Sequence, residues 1–598
     1  MSAQLSVQPP PTTTTRPTRT EPPRSRYRSP HKIHGLLPSL PAFTWLCIFF
    51  LLPGALVAVF SLGESTFFGT SPVDLSSPSL NRYDEAAGDT FRIVFQNTLQ
   101  LSVVGTAICV LLAFPMAYLI TTRLTGAWKY AAIAAVVVPY WMPFLLRTYS
   151  WRILLGDHGP LAGLLGIDGL GVLDTLAGAQ LGVVYNYLPL AVLPIAVALD
   201  RLDPALRKAG RDLGASPWRV FWQVTLPAAR PGVISAALLV FIPLMGDYVT
   251  PSVLGGVKTA VVGSLVNSSF LESQDWALGS AAAVLLIALV LLVLGCAAVL
   301  LRIGTAIVRV VRPLDLTARF VRTPALTFDA WGPALRVFGV ALCLFLWLPI
   351  LTIAAYSFNG GRTLPIWSGF STHWYSAIGE NTALVHAIGV SLRVAALSTL
   401  VAVIVGTLAG AALARASRPL RWSLLSLLLV VFITPEIVSA IGLLLLYVGA
   451  GPTLANGTVR LVIAHSVIAI AIVAFVVQAR LASLDPRLSD AAADLGAAPL
   501  SVFRQVTAPL AAPAVIAAAV LASTASLDDV VASSMLGTVG TTTLPVFIYS
   551  TLRNGLRGDA AAASVVVMLG IALGVVLIGL ILQRKGQAKS FTDGLVGR

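Results

Sequence analysis

The sequence predicts an all-α polytopic membrane protein built from two tandem, parallel repeats of about six transmembrane helices. Three observations carry this. Of 598 residues, 57% are hydrophobic and only 11% are charged, where a soluble domain carries roughly 25%. Several apolar runs exceed the roughly 18 residues that mark a membrane span, and they are continuous rather than alternating, which selects helices. One polar segment also occurs twice, as KAGRDLGASPWRVFWQVTLP from Lys208 and as DAAADLGAAPLSVFRQVTAP from Asp490, a constant shift of 282 positions.

The elements follow in order. Residues 1–40 form a Pro/Thr/Ser-rich basic tail that includes Arg16, Arg19, Arg24, Arg26, Arg28 and Lys32. Such a composition buries no core and predicts disorder. The tail is too long and too proline-rich for a signal n-region, so it is expected to be retained, on the cytoplasmic side. Residues 41–305 hold the first six spans, near 43–62, 95–120, 129–154, 178–200, 229–250 and 276–302. A basic linker over 306–330 leads to 331–585, with spans near 331–357, 386–415, 421–448, 459–481, 511–527 and 560–583, and 586–598 form a second cytoplasmic tail.

The net charge of +14 does not point to nucleic acid. The basic residues sit in short loops, as the positive-inside rule requires. Arg123, Lys129, Arg201, Arg207, Lys208, Arg211 and Arg219 fall on one side with the central linker, and Arg415, Arg418, Arg421, Arg480, Arg487 and Arg504 follow in the second half. The opposite loops carry Glu64, Asp74, Asp84, Glu85, Asp89, Asp157, Asp168 and Asp174. Both termini are therefore expected in the cytoplasm, with the halves related by a pseudo-twofold axis along the membrane normal. Cys47, Cys109, Cys296 and Cys343 lie in apolar runs and read as small core residues, and the six histidines are scattered. No P-loop, nucleophile elbow or zinc signature is present. The residues support no catalytic site, no metal site and no cofactor bound by this chain.

Each copy of the polar segment opens on Asp-Pro, Asp203-Pro204 and Asp485-Pro486, a helix-start signal. Gly214 and Gly496 permit a tight turn, and Ser216-Pro217 caps a second short helix, more weakly matched by Ala498-Pro499. Pro227 and Pro509 close the loops over 203–227 and 485–509. A plain connecting loop is the alternative, but 19 of 32 positions agree between Leu202–Val233 and Leu484–Val515, which points to a shared docking function.

These segments resemble the EAA loop of ATP-binding-cassette importer permeases, with Asp490-Ala491-Ala492, Gly496 and Pro509 in the second copy and Lys208-Ala209-Gly210, Gly214 and Leu226-Pro227 in the first. The resemblance covers nearly the whole chain after the tail. It implies the type I importer permease fold, with two such permeases fused. It also implies that each loop is the coupling helix for one of two copies of a cytoplasmic ATPase, which binds ATP and Mg. Lys208, Ala209, Gly214, Asp490, Ala491 and Gly496 are the coupling residues so implied. The family's glutamate is aspartate at Asp490 and lysine at Lys208, so the two contacts are expected to be unequal. An extracytoplasmic substrate-binding protein and a bacterial cell membrane are implied too.

Four stretches narrow the cargo: PLMGDYVTPSVLGG with ASLDDVVASSMLGT, and PYWMPFLLRTYSW (139–151) with TPEIVSAIGLL (434–444). They resemble the paired spermidine/putrescine permeases, while permeases for ferric iron, sulfate and phosphonates match them less well. Tyr140, Trp141, Arg147, Asp247, Tyr248, Glu436, Asp528 and Asp529 are the candidate pathway residues. Asp247 and Asp529 are related by the 282 shift, and Tyr140 reads as the proline-adjacent counterpart of Glu436. An ionisable group in an apolar run usually lines a polar cavity. Carboxylates with aromatics suit an alkylammonium. An anion would use Arg147, and a hard metal would use the carboxylates. The acids could instead cap helix starts or pair with Arg147 and Lys258. A secondary transporter or channel is the alternative from another class, although it needs no paired docking loops.

Overall fold

The computed structural model describes residues 36–66, 72–157, 159–167, 169–311, 331–361, 366–485, 487–552 and 557–584. Residues 1–35 of the tail, 312–330 of the linker, the whole 586–598 tail, and Asp168 and Pro486 lie outside them. A helix begins at Leu36, inside the stretch assigned to the disordered tail.

In the first half, α1 (Leu36–Leu46) runs through a π-helical turn at Cys47–Leu51 into α2 (Leu52–Phe60). A short hairpin pairs β1 (Glu64–Ser65) antiparallel with β2 (Val73–Asp74). Then come α3 (Asn81–Ala87), α4 (Asp89–Thr122), α5 (Gly126–Val137), α6 (Phe144–Leu155), α7 (Pro160–Leu165) and α8 (Leu176–Asp200). The repeated loop supplies α9 (Pro204–Asp212) and α10 (Pro217–Val220), followed by α11 (Leu226–Gly246), α12 (Val249–Leu254), α13 (Val262–Leu271) and α14 (Trp276–Val311).

The second half continues with α15 (Trp331–Tyr356), α16 (His373–Glu380), α17 (Thr382–Arg415), α18 (Arg418–Ile433), α19 (Glu436–Ala450) and α20 (Gly457–Ser483). Its copy of the loop forms α21 (Arg487–Asp494) and α22 (Pro499–Val502). Beyond it lie α23 (Ala508–Asp528), α24 (Val531–Leu536), α25 (Leu544–Leu552) and α26 (Gly558–Arg584).

The helices α4, α8 and α11 pack together, and α17, α20 and α23 repeat that arrangement. Small residues make the second group close. Ala387, Ser391, Ala395, Ser398, Ala402 and Ala409 form a buried stripe along α17, and such stripes let membrane helices approach. The first helix of each half is exchanged. The pair α1–α2 packs on α17 and α19, while α15 packs on α4 and α6. Hydrogen bonds fix the exchange: Trp45 Nε1 donates to Ser466 Oγ (3.0 Å), Trp347 Nε1 to the Ala135 carbonyl (2.9 Å) and the Tyr185 hydroxyl to the Leu346 carbonyl (3.1 Å).

Among the described residues ten helices are long and apolar enough to span a membrane, or eleven if a bent pair counts once, against the twelve expected. The expected spans 129–154 and 421–448 are not continuous. The first bends by 94° between Trp141 and Phe144. The second breaks at Thr434–Pro435. Proline has no N–H for the helical ladder and its ring collides with the preceding turn. Met142 and Pro143 (ψ 138° and 131°) adopt the same extended pair as Thr434 and Pro435 (ψ 124° and 137°). The equivalent residues are therefore Pro143 and Pro435, and the counterpart of Glu436 is Phe144, not Tyr140. The short helices α12 and α13, with α24 and α25, fill the stretch between the fifth and last helices of each half, where no element was expected. Cys47 and Cys296 are exposed rather than core; an apolar outer face suits a small thiol as well as a core does.

The exchange of first helices makes the halves interdependent. Residues 1–320 and 321–598, expressed as two chains, are expected to copurify in a one-to-one ratio. Deleting 331–356 from the second chain should weaken that association, leaving the packing of α1–α2 on α17 and α19. Copurification unaffected by the deletion would show that the exchange does not hold the halves together.

Candidate functional site

The repeated loops adopt the shape expected of them. The Asp203 carboxylate accepts from the Ala205 N–H (2.8 Å) and Asp485 from the Arg487 N–H (3.0 Å), so both Asp residues cap the first short helix. Gly214 and Gly496 follow at φ +79° and +83°, the left-handed region that side-chain-bearing residues avoid. Ser216 Oγ accepts from the Arg219 N–H (3.3 Å) and caps α10. Lys208, Ala209, Gly214, Asp490, Ala491 and Gly496 are all exposed. Beside the glycines, Leu213 and Leu495 are 88% and 89% exposed. The copies differ in their aromatic content: Trp218, Phe221 and Trp222 form a ring cluster in the first, where Arg504 stands opposite Trp222 in the second.

Each fifth helix leads away from its loop and ends at an acid. Asp247 terminates α11, and Asp529 occupies the same place after α23. Both carboxylates cap the next short helix. Asp247 Oδ1 accepts from the N–H groups of Val249 and Thr250 (3.0 Å each), and its Oδ2 from the Thr250 hydroxyl (2.7 Å). Asp529 Oδ1 accepts from the N–H groups of Ala532 (2.9 Å) and Ser533 (3.2 Å). Capping, the structural alternative for these acids, is thus a task they do perform.

A polar chain holds each carboxylate from behind. In the first half the Asn186 amide donates to Thr250 Oγ1 (3.3 Å) and Thr148 Oγ1 (2.9 Å). In the second half His465 Nε2 lies 3.3 Å from Asp529 Oδ2 and 3.1 Å from Ser533 Oγ, and His465 Nδ1 lies 2.6 Å from Ser526 Oγ. Sequence reasoning passed over these residues. For His465 a signal existed: it is an ionisable side chain inside the apolar run of α20, a usual mark of function in membranes.

The remaining pathway candidates meet where the halves touch. Asp528, one residue before Asp529, reaches across to the first half. Its Oδ1 accepts from the Phe144 N–H, the first free donor of α6 after the break, and its Oδ2 lies 3.6 Å from Arg147 Nη2. Arg147 stacks over Tyr140 (4.8 Å) and Phe144 (5.7 Å). The Tyr248 hydroxyl pairs with Ser534 Oγ across the same junction (3.2 Å). Trp141, Pro143 and Asp528 line a cavity of about 20 Å³ there, room for one water. Glu436 opens α19 with an exposed side chain, and Asp529 lies in hydrogen-bonding reach of it with Asp528 and Asp247 nearby. All eight pathway candidates therefore belong to one junction. Four carboxyls, one guanidinium and several aromatic rings form a strongly acidic, aromatic-walled region that attracts cations.

Known proteins resemble this chain as follows. The family model described as binding-protein-dependent transport system inner membrane component matches residues 36–312 and again 402–587. The spermidine/putrescine transport system permease protein PotB of Haemophilus influenzae is 32% identical over 249 residues, 40% of this chain and 85% of that protein. The putrescine transport system permease protein PotI of Escherichia coli is 36% identical over 235 residues, 38% of this chain and 83% of that one. A solved bacterial ABC transporter involved in import of the acidic polysaccharide alginate aligns over 42% of this chain and 88% of that chain at 15% identity, with a TM-score of 0.34, too distant to carry an argument.

The anchoring of Asp247 is testable. Thr250→Val removes one donor and leaves a buried carboxylate oxygen without it, so a loss of about 1–3 kcal/mol is expected. Thr250→Ser should restore it. Thermal unfolding in detergent measures both, and an unchanged Thr250→Val variant would show that the hydroxyl contributes nothing.

Proposed function

Because the chain belongs to the family of binding-protein-dependent transport system inner membrane components, as a fused double permease of an ATP-driven importer, we propose that its cargo is a polyamine of the spermidine or putrescine type. The junction carries this reading: Asp247, Asp528, Asp529 and Glu436 gather beside Tyr140, Trp141 and Phe144. Carboxylates pair with the ammonium groups of such a cargo, and the aromatic faces take both its charge and its methylenes. The names of the relatives above point the same way. A phosphonate or sulfate would need free cationic groups, and Arg147 is already faced by Asp528. A ferric ion would need a cage of ligands, and among the described residues no three His, Cys, Asp or Glu side chains converge as one.

The two loops are the docking sites for two copies of a cytoplasmic ATPase, which holds ATP and Mg, and the opposite face receives the substrate-binding protein. Their exposed Leu213 and Leu495 are apolar tips for a partner to cover. The first loop adds Trp218 and Trp222, residues enriched where partners bind tightly, whereas the second offers Asp490. The two contacts are unequal in kind. The membrane is the bacterial cell membrane, with both termini in the cytoplasm.

Two experiments test this. Glu436→Gln keeps the shape and removes the carboxyl of an acid with no capping task. Uptake of labelled spermidine or putrescine should fall by roughly tenfold, within the 1–3 kcal/mol of a charged hydrogen bond, while the ATPase stays associated. Competition by ferric iron or phosphonate, and not by polyamine, would overturn the cargo. For the loops, Gly214→Val and Gly496→Val place a β-branched residue at positive φ. Both should abolish ATP-driven uptake with the protein still in the membrane. Normal uptake in both would remove the docking assignment.

A further inference from the structure

Arg147 is held as a substrate would be held. It is 2% exposed. Its guanidinium has Tyr140 on one face and Phe144 close by, with a single carboxylate at 3.6 Å, and its Nε has no hydrogen-bond partner. A guanidinium has five N–H donors in a rigid fork, and a structural buried arginine usually engages a carboxylate in bidentate fashion at under 3 Å. This contact is long and leaves a donor unpaired. The surroundings, one carboxylate and two aromatic rings, are the set that suits an alkylammonium.

The contact also joins the halves, and it has no symmetric copy. Arg147 belongs to α6 in the first half and Asp528 to α23 in the second. The 282 shift places Gly246 where Asp528 would be repeated. A β-carbon on Gly246 would lie 3.0 Å from Pro435 Cβ and 3.7 Å from the Glu436 nitrogen. The same junction is thus a charged link on one side and a bare backbone approach on the other. Counted from the aligned prolines Pro143 and Pro435, the counterpart of Arg147 is Ser439.

We propose that Arg147 is the resident cation of the transport site, and that an ammonium group of the cargo displaces it from Asp528 and so releases the link between the halves. This rests on the polyamine reading for the cargo's identity. A buried guanidinium without its counter-ion costs several kcal/mol. Losing Asp528 to the cargo therefore favours an arrangement in which Arg147 reaches other partners or water. Occupancy and separation of the halves become linked, because the cargo binds one arrangement better than the other. An amine with two or more charges can engage Asp528 and Glu436 together, whereas a small monovalent cation meets only one and competes poorly with Arg147. Arg147 is then a specificity-determining residue.

The test uses the complete importer, with its ATPase and binding protein, in proteoliposomes. ATP hydrolysis is measured without cargo and with spermidine or putrescine. Arg147→Gln should raise cargo-free hydrolysis about fivefold or more, the scale of a coupling of about 1 kcal/mol, and lose stimulation by polyamine. Asp528→Asn keeps an oxygen for the Phe144 N–H and should do the same. The double variant should add nothing to either, since both remove one contact, and Arg147→Lys should return cargo-free hydrolysis toward wild type. Unchanged cargo-free hydrolysis in both single variants overturns the proposal, and so do effects that multiply in the double variant. Loss of activity without raised hydrolysis means a merely structural pair and overturns it too. Should Arg147→Gln fail to assemble with the ATPase, Asp528→Asn and Arg147→Lys decide. If the variants behave as expected but wild type ignores both polyamines, the link stands and the cargo reading falls.

Discussion

A membrane interior supplies no water to a free backbone N–H, so a helix can break there only where protein takes over the lost hydrogen bonds. The two breaks before Phe144 and Glu436 differ in how the other half meets them. At the first, Asp528 of the other half accepts from the Phe144 N–H. At the second, Gly246 allows the opposing helix end to come against Pro435 and the Glu436 nitrogen. Glu436 itself opens α19, beside Asp529 of the same half. At both breaks a helix end of one half is thus set against the other half.

This dependence explains why the halves, so alike in outline, divide the chemistry between them. Three of the four carboxyls belong to the second half, while the guanidinium and the stacked rings belong to the first. Behind the equivalent Asp247 and Asp529 stand unlike supports, a hydroxyl–amide chain through Thr250 and Asn186 and an imidazole at His465. A single chain guarantees that each half meets its complement. Two copies of the first half would place Gly246 opposite Arg147, two copies of the second would place Asp528 opposite Ser439, and neither arrangement makes the link.

Much of the fold was legible because membrane spans and the positive-inside pattern are composition signals that survive without tertiary knowledge. The loops were legible because Gly214 and Gly496 sit at a turn that the backbone itself requires. Family membership, argued from the loop, decides against the secondary transporter or channel. The helix breaks were less legible. Pro139, Pro143 and Pro435 were visible, but Pro189 and Pro194 are just as visible and lie within the continuous α8, so proline alone does not locate a break. The pairing of Tyr140 with Glu436 failed for a related reason: two prolines four apart in the first half offered two registers, and the extended pair Met142–Pro143 selects the second. His465 and Asn186 were missed because their importance comes from partners on other helices.

The loops and the junction are also connected by continuous helices. From Pro217 the chain is helical without interruption to Gly246, 30 residues and about 45 Å at 1.5 Å each. It begins in the exposed loop and ends at Asp247. The second copy runs from Phe503 to Asp528 in the same way and ends at the carboxylate that holds Arg147. Each rod has a π-helical turn at the same place, Phe221–Thr225 and Phe503–Thr507, in the strongly matched part of the loop. A π turn is a rare single-turn widening within an α-helix, frequent at functional sites. Each loop is therefore joined to a carboxylate of the junction through one continuous helix. At the second rod that helix end is Asp528, whose carboxylate meets Phe144 and Arg147 together.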